Sequence, residues 1–155
     1  MLFRSFLMVA AGDHALTSYR GKIPKDVLAK HTQIVLTDRS ELSSGREFGV
    51  MSPTVWRLAD LFAKHHFLLN GLGWGGMPLH AVREDLEEGR LSVLPIEDVP
   101  PDGLTLAMSA VWQTKSPPGP AGRWFIDRLK QIPVETGKVP KPQVTRKKAR
   151  RSAKA

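Results

Sequence analysis

The run Gly71-Leu-Gly-Trp-Gly-Gly76 matches the dinucleotide-binding pattern G-x-G-x-x-G letter for letter. Phosphate binding by that pattern needs glycines that leave a strand and open a helix, so that free amides and the positive helix end meet the pyrophosphate. Here the glycines follow a helical segment and open an extended one, and the dipole at a helix C-terminus repels phosphate. They predict a tight helix-to-strand turn in which missing side chains let backbone approach backbone or a ligand. Trp74, inside that turn, is a flat side chain able to wall a pocket.

Other chemistries have less support. The five histidines, His14, His31, His65, His66 and His80, are scattered, and no pair at i, i+4 has a third ligand near it. His80 and Glu84 share a helix face as an ordinary surface pair, and His65 and His66, being adjacent, point to different faces. None of the serines Ser40, Ser43, Ser44, Ser52 and Ser109 sits in a G-x-S-x-G elbow. The absence of cysteine excludes disulfides, thiolate metal clusters and a cysteine nucleophile, and fits a reducing, cytoplasmic compartment. The expectation is a binding module that is not an enzyme and carries no cofactor and no metal.

The elements that position these residues follow from periodicity. Ser5 to Ala11 reads as a buried strand, Pro24 opens a short helix with Val27 and Leu28 inward, and Thr32–Thr37 is a β-branched strand. Thr54–Ala59 reads as a third strand, and Asp60 caps a helix whose Leu61, Phe62, Leu68 and Leu69 recur at helical spacing. A short strand from Gly75 to Leu79 leads into a helix begun by Pro78 and carrying Val82 and Leu86, followed by a strand over Leu91–Leu94. This βαβαβαβ order predicts an α/β fold with a mostly parallel sheet flanked by helices. Beyond Pro100-Pro-Asp-Gly103, the alternation from Leu104 to Gln113 predicts a strand with one apolar face. Pro120 opens a last helix with the stripe Ala121, Trp124, Phe125, Leu129 and Ile132.

The chain has 155 residues, 41% of them hydrophobic, enough for one domain with a core and a tail. Its formal charge of +8 suggests nucleic acid, yet eight basic residues and no acid lie from Lys138 onward, leaving 15 basic and 15 acidic residues before them. The body is thus neutral, and residues 134–155 read as a basic, disordered tail. Arg146, Lys147, Lys148, Arg150 and Arg151 offer nonspecific phosphate contact at most. The opening Met1-Leu-Phe-Arg-Ser-Phe-Leu-Met-Val-Ala-Ala has an outline of a secretion signal, but its apolar run is short and Asp13-His14 closes it. No stretch approaches the roughly 20 apolar residues of a membrane span.

Four phrases, in order and at matching spacing, carry a resemblance: Val9-Ala-Ala-Gly-Asp-His-Ala-Leu16, Asn70-Gly-Leu-Gly-Trp-Gly-Gly-Met-Pro78, Glu84-Asp-Leu-Glu-Glu-Gly-Arg-Leu91 and Gly119-Pro-Ala-Gly-Arg-Trp-Phe-Ile-Asp127. From about Phe6 to Leu129 the chain resembles the C-terminal half of the effector-binding domain of LysR-type transcriptional regulators. The resemblance implies a periplasmic-binding-protein-like (type 2) fold, with residues 1–133 as an effector-binding fragment, a second lobe over about 12–98, and first-lobe return elements over about 104–132. It also implies that the first lobe is incomplete and that the family's winged helix-turn-helix is missing from the front. The faces of Trp112, Trp124, Phe125 and Leu129 would then lack a sheet to pack on, so self-association or marginal stability is expected.

In open α/β sheets ligands sit outside the carboxyl ends of the strands. That rule selects Thr37, Asp38, Arg39 and Ser40, after the second strand, as ligand-binding residues for a small effector such as a carboxylate, with Gly73 and Trp74 closing one side. Effector held between lobes would shift their angle and so control DNA binding through the missing N-terminal domain. The competing readings are a small basic nucleic-acid-binding protein acting through its tail, and an exported solute-binding lobe.

Overall fold

The computed structural model describes residues 2–37 and 49–131. Its strands are β1 (Leu2–Ala11), β2 (Gln33–Leu36), β3 (Val55–Leu58), β4 (Trp74–Pro78), β5 (Leu91–Val93) and β6 (Leu104–Met108). The helices are α1 (Lys25–Leu28), α2 (Leu61–Leu69), α3 (Leu79–Glu87) and α4 (Pro120–Gln131). The strands form one sheet in the order β3-β2-β4-β1-β5, with β6 paired to β1. β2 runs parallel to β3 and β4, whereas β1 is antiparallel to β4, β5 and β6. Five strands therefore share one direction, as helical crossovers require, and β1 alone runs against them.

β1 organises the core because both of its faces are covered. Leu7 and Val9 pack with Ile34, Leu68, Met77, Val82 and Leu86, whereas Met8 and Ala10 pack on the other face with Leu16, Ile23, Leu28, Trp74 and Ile96. Burial on both faces explains the unbroken apolar run that reads like a signal core. His14 holds the chain just after β1: its Nδ1 accepts the Leu16 N–H at 3.2 Å and begins a short 3-10 turn, Ala15–Ser18. Burial, followed by the nearby His31, keeps the His14 pKa below its usual value, which favours the neutral acceptor form.

Local signals set the helix ends. Asp60 Oδ1 accepts the Ala63 N–H at 2.8 Å and caps α2. At its other end Gly71, with φ +70°, lets its own N–H reach the Leu68 carbonyl and the Leu72 N–H reach the Phe67 carbonyl, a Schellman closure.

Two expectations need correction. The strand expected to run to Gln113 ends at Met108, which pairs with Leu2 of β1. Trp112 is left 55% exposed. An alternating pattern makes a strand only where a second edge pairs with it. In α2, Leu61, Leu68 and Leu69 pack against the core as expected, but Phe62 is 70% exposed and Lys64 is buried beside Leu68. Phe62 instead packs on His66, with ring centroids 4.2 Å apart.

The last helix forms as read, but no residue of α4 is buried; Trp124 is 68% exposed and Phe125 56%. Ile132 and the tail from 134 onward lie outside the described residues.

Candidate functional site

β2 and β4 meet through a single parallel register pair, Gln33 with Trp74. They approach so closely there that only glycine fits. A Cβ on Gly73 would lie 2.4 Å from the Thr32 carbonyl oxygen, and one on Gly75 would lie 2.4 Å from that of Ile34. The glycine run thus serves backbone-to-backbone approach at the start of a strand.

Past that point the Gly76 carbonyl accepts a hydrogen bond from Lys64 Nζ of α2 at 2.7 Å. The lysine is 4% exposed, and desolvation lowers its pKa from 10.5 to about 8. It lines a cleft of about 340 Å³ whose walls come from Phe6 and Met8 of β1, Gln33–Leu36 of β2, and Leu104. Gly49 and Gly76 complete its rim.

Gln33 ties the rim down. Its Nε2 donates to the Gly49 carbonyl at 2.6 Å, and its Oε1 accepts from the N–H groups of Met51 at 2.7 Å and Ser52 at 3.0 Å. Ser52 Oγ in turn donates to the His31 carbonyl at 2.9 Å. Because the amide is buried and its partners are all backbone, this anchor fixes where the chain rejoins β2. α2 is fastened from its other side. Asp85 of α3, itself buried, takes His65 Nε2 on one oxygen and Arg90 Nε on the other, each at 2.7 Å. His65 is thereby a structural partner of Asp85.

A second cleft, of about 400 Å³, lies between Lys25 and Ile96–Val99. Lys25 pairs there with Asp98 at 2.9 Å, both well exposed, and Glu97 also lines it. Among the described residues no three of His, Cys, Asp and Glu gather in a way that could hold a metal.

The sequence-derived site residues separate into groups. Thr37 stands at the carboxyl end of β2, exposed, its N–H donating to the Leu58 carbonyl at 2.7 Å; its neighbour Leu36 lines the first cleft. Asp38, Arg39 and Ser40 lie outside the described residues, as do Arg146, Lys147, Lys148, Arg150 and Arg151. Gly73 and Trp74 are not brought to Thr37. They sit at the amino end of β2, three residues or about 10 Å from Leu36. Trp74 is fully buried, with its Nε1 facing the His31 carbonyl at 3.4 Å. It is a core side chain. Lys64 and Gln33, absent from the sequence-derived set, are the polar groups found at the cleft. The signal for Lys64 was its spacing, three residues after Leu61 and four before Leu68, which places a lysine on an apolar helix face.

The family described as the LysR substrate binding domain matches residues 4–132. Among solved structures, the chain is similar to the C-terminal domain of a probable LysR family transcriptional regulator from Rhodococcus sp. RHA1. The two are 24% identical, with a TM-score of 0.56, over 83% of this chain and 64% of that one. It is also similar to the CcmR regulatory domain of Synechocystis PCC6803, solved in complex with 2-PG, at 17% identity and a TM-score of 0.57, over 86% of this chain and 66% of that one. The chain thus spans a little under two thirds of the length of these neighbours, and at these identities the likeness is one of fold. A search of curated proteins finds no match. The match ends at residue 132 and lends nothing to a nucleic-acid role for the tail. With five co-directional strands, a reversed β1 and helices on the sheet, the architecture is that of a periplasmic-binding-protein-like (type 2) α/β lobe, and the chain belongs to the LysR substrate-binding domain family.

Proposed function

We propose that the chain is the effector-sensing part of a LysR-family transcriptional regulator, working in the cytoplasm by binding and not by catalysis. The observation that carries this reading is the cleft at the splayed edge of β2 and β4, in a chain of this family. Thr37, Asp38, Arg39 and Ser40 follow directly on Leu36, which lines that cleft, and would hold the polar part of a small effector. Gly73 and Trp74 act indirectly, by setting how closely β4 approaches β2. We place the second lobe over about 12–98 and return elements over about 104–132. DNA would be reached through a separate N-terminal domain. Among the described residues no helix is long and apolar enough to cross a membrane.

Arg39→Ala tests the reading. A charge-assisted hydrogen bond contributes about 1.5–3 kcal/mol, so effector affinity should fall by about tenfold or more, as measured by calorimetry. Unchanged affinity removes Arg39 from the site.

A second copy of the chain would cover the bare face of α4. Sedimentation equilibrium should show concentration-dependent association that Trp124→Ser with Phe125→Ser weakens at least about tenfold, since aromatic anchors contribute about 2 kcal/mol or more each at interfaces. A concentration-independent monomer with a cooperative melt would contradict this.

A further inference from the structure

Among the described residues, the cleft that Lys64 lines is apolar apart from one charge. Phe6, Met8, Val35 and Leu104 are hydrophobic, and the Gln33 amide is already engaged with the backbone of residues 49–52. Lys64 therefore supplies the charge. An ammonium has three donors, and among the described residues the Gly76 carbonyl accepts one of them. No described carboxylate pairs with it; among the described acids of α2 and α3, Asp85 is committed to His65 and Arg90, and Asp60 to the α2 cap. A buried cation with donors to spare in an apolar cavity is costly to keep unless something anionic joins it.

We propose that this cleft binds a small organic anion with an apolar body, its oxyanion pairing with Lys64 Nζ and its hydrocarbon part lying against Phe6, Met8 and Leu104. This inference rests on the reading of the chain as an effector-sensing unit and assigns the chemical class of its effector. The ammonium recognises the charge, and the apolar walls reject fully hydrated inorganic ions that cannot shed water there at low cost.

Binding then carries a pH signature. The elements packed around Lys64 bring few competing groups. β1 from Ser5 to Ala11, β2 and β4 carry no titratable side chain, β3 contributes Arg57, α3 contributes Asp85, and α2 itself contributes Asp60, His65 and His66. Above pH about 8 the free protein loses the Lys64 charge, so anion affinity falls as pH rises.

The test is a titration of the full chain with hexanoate, hexanamide and hexylamine, followed through the Lys64 side-chain Cε resonance and the backbone amides of Gln33 and Gly76. The Cε signal is assigned by its loss in Lys64→Met. At pH 7 hexanoate should bind about tenfold or more tighter than hexanamide, as expected for a charge-assisted contact. It should raise the Lys64 pKa above about 8, and its affinity should drop about tenfold per pH unit beyond that value. Lys64→Met, checked for folding by its amide spectrum, should erase the preference for hexanoate. If hexanamide or hexylamine binds as well as hexanoate, or if Lys64→Met leaves hexanoate binding intact, the lysine pairing is wrong while the effector-cleft reading stands. If none of the three probes moves Lys64, Gln33 or Gly76, both are overturned.

Discussion

Gly75→Ala is expected to cost about 4 kcal/mol or more, a large fraction of the about 5–15 kcal/mol total stability of a domain. The added methyl would sit 2.4 Å from the Ile34 carbonyl oxygen and 3.3 Å from Lys64 Cε. The backbone neighbour is not free to yield. Ile34 belongs to a strand pinned between β3 and β4, and the residue before it holds the 49–52 backbone through three hydrogen bonds. Gly71→Ala is the contrasting control. Its φ is +70° but its nearest Cβ contact is Ala11 at 3.9 Å, so only the left-handed conformation is penalised, by about 1 kcal/mol. Chemical denaturation of the two variants should separate them widely; equal costs would mean that β4 does not approach β2 as closely as described.

Lys64→Met is expected to raise stability at pH 7. A lysine held at about 8 in place of 10.5 carries a burial cost of about 3 kcal/mol while charged. Methionine removes that cost but leaves the Gly76 carbonyl without its donor, a loss of about 1–2 kcal/mol. The net gain is on the order of 1 kcal/mol at pH 7. Because the unfolded chain holds the Lys64 proton more tightly than the folded one, the wild-type penalty is complete below pH 8 and fades as pH rises towards 10.5. Wild-type stability should therefore climb through that window relative to Lys64→Met, and the advantage of the variant should vanish or reverse by pH 10. A variant weakened at pH 7 would mark the lysine as a structural strut. A stabilised variant that binds anions poorly marks a charge kept for function at a stability cost.

Much of the framework was legible because its signals are local. The Asp60 cap, the glycine stop after Asn70 and the Pro78 helix start depend on residues within a few positions of one another. The apolar run of β1 was legible as well, since burial on both faces leaves no polar alternation. What the sequence hid depends on distant partners. The alternation read through Trp112 is paired with β1 from Leu104 to Met108 alone among the described residues. Trp74 looked like a pocket wall because of its glycine neighbours, yet its side chain points into the core formed by Met8, Leu16 and Ile23. Lys64 is hidden in the sequence because lysines usually mark solvent, and the carbonyl that receives its ammonium, that of Gly76, lies on a different element. The carboxyl-end rule selects Thr37, whose neighbour Leu36 lines the cleft; Lys64, which lines it too, belongs to a helix two elements later.

Where a small molecule binds decides between the two clefts. Backbone amide shifts of the chain, recorded against a library of small organic acids, amides and sugars, should move in one cluster at Gln33–Leu36, Gly49, Lys64 and Gly76. Shifts centred instead on Lys25 and Ile96–Val99, with the first cluster silent, would contradict it.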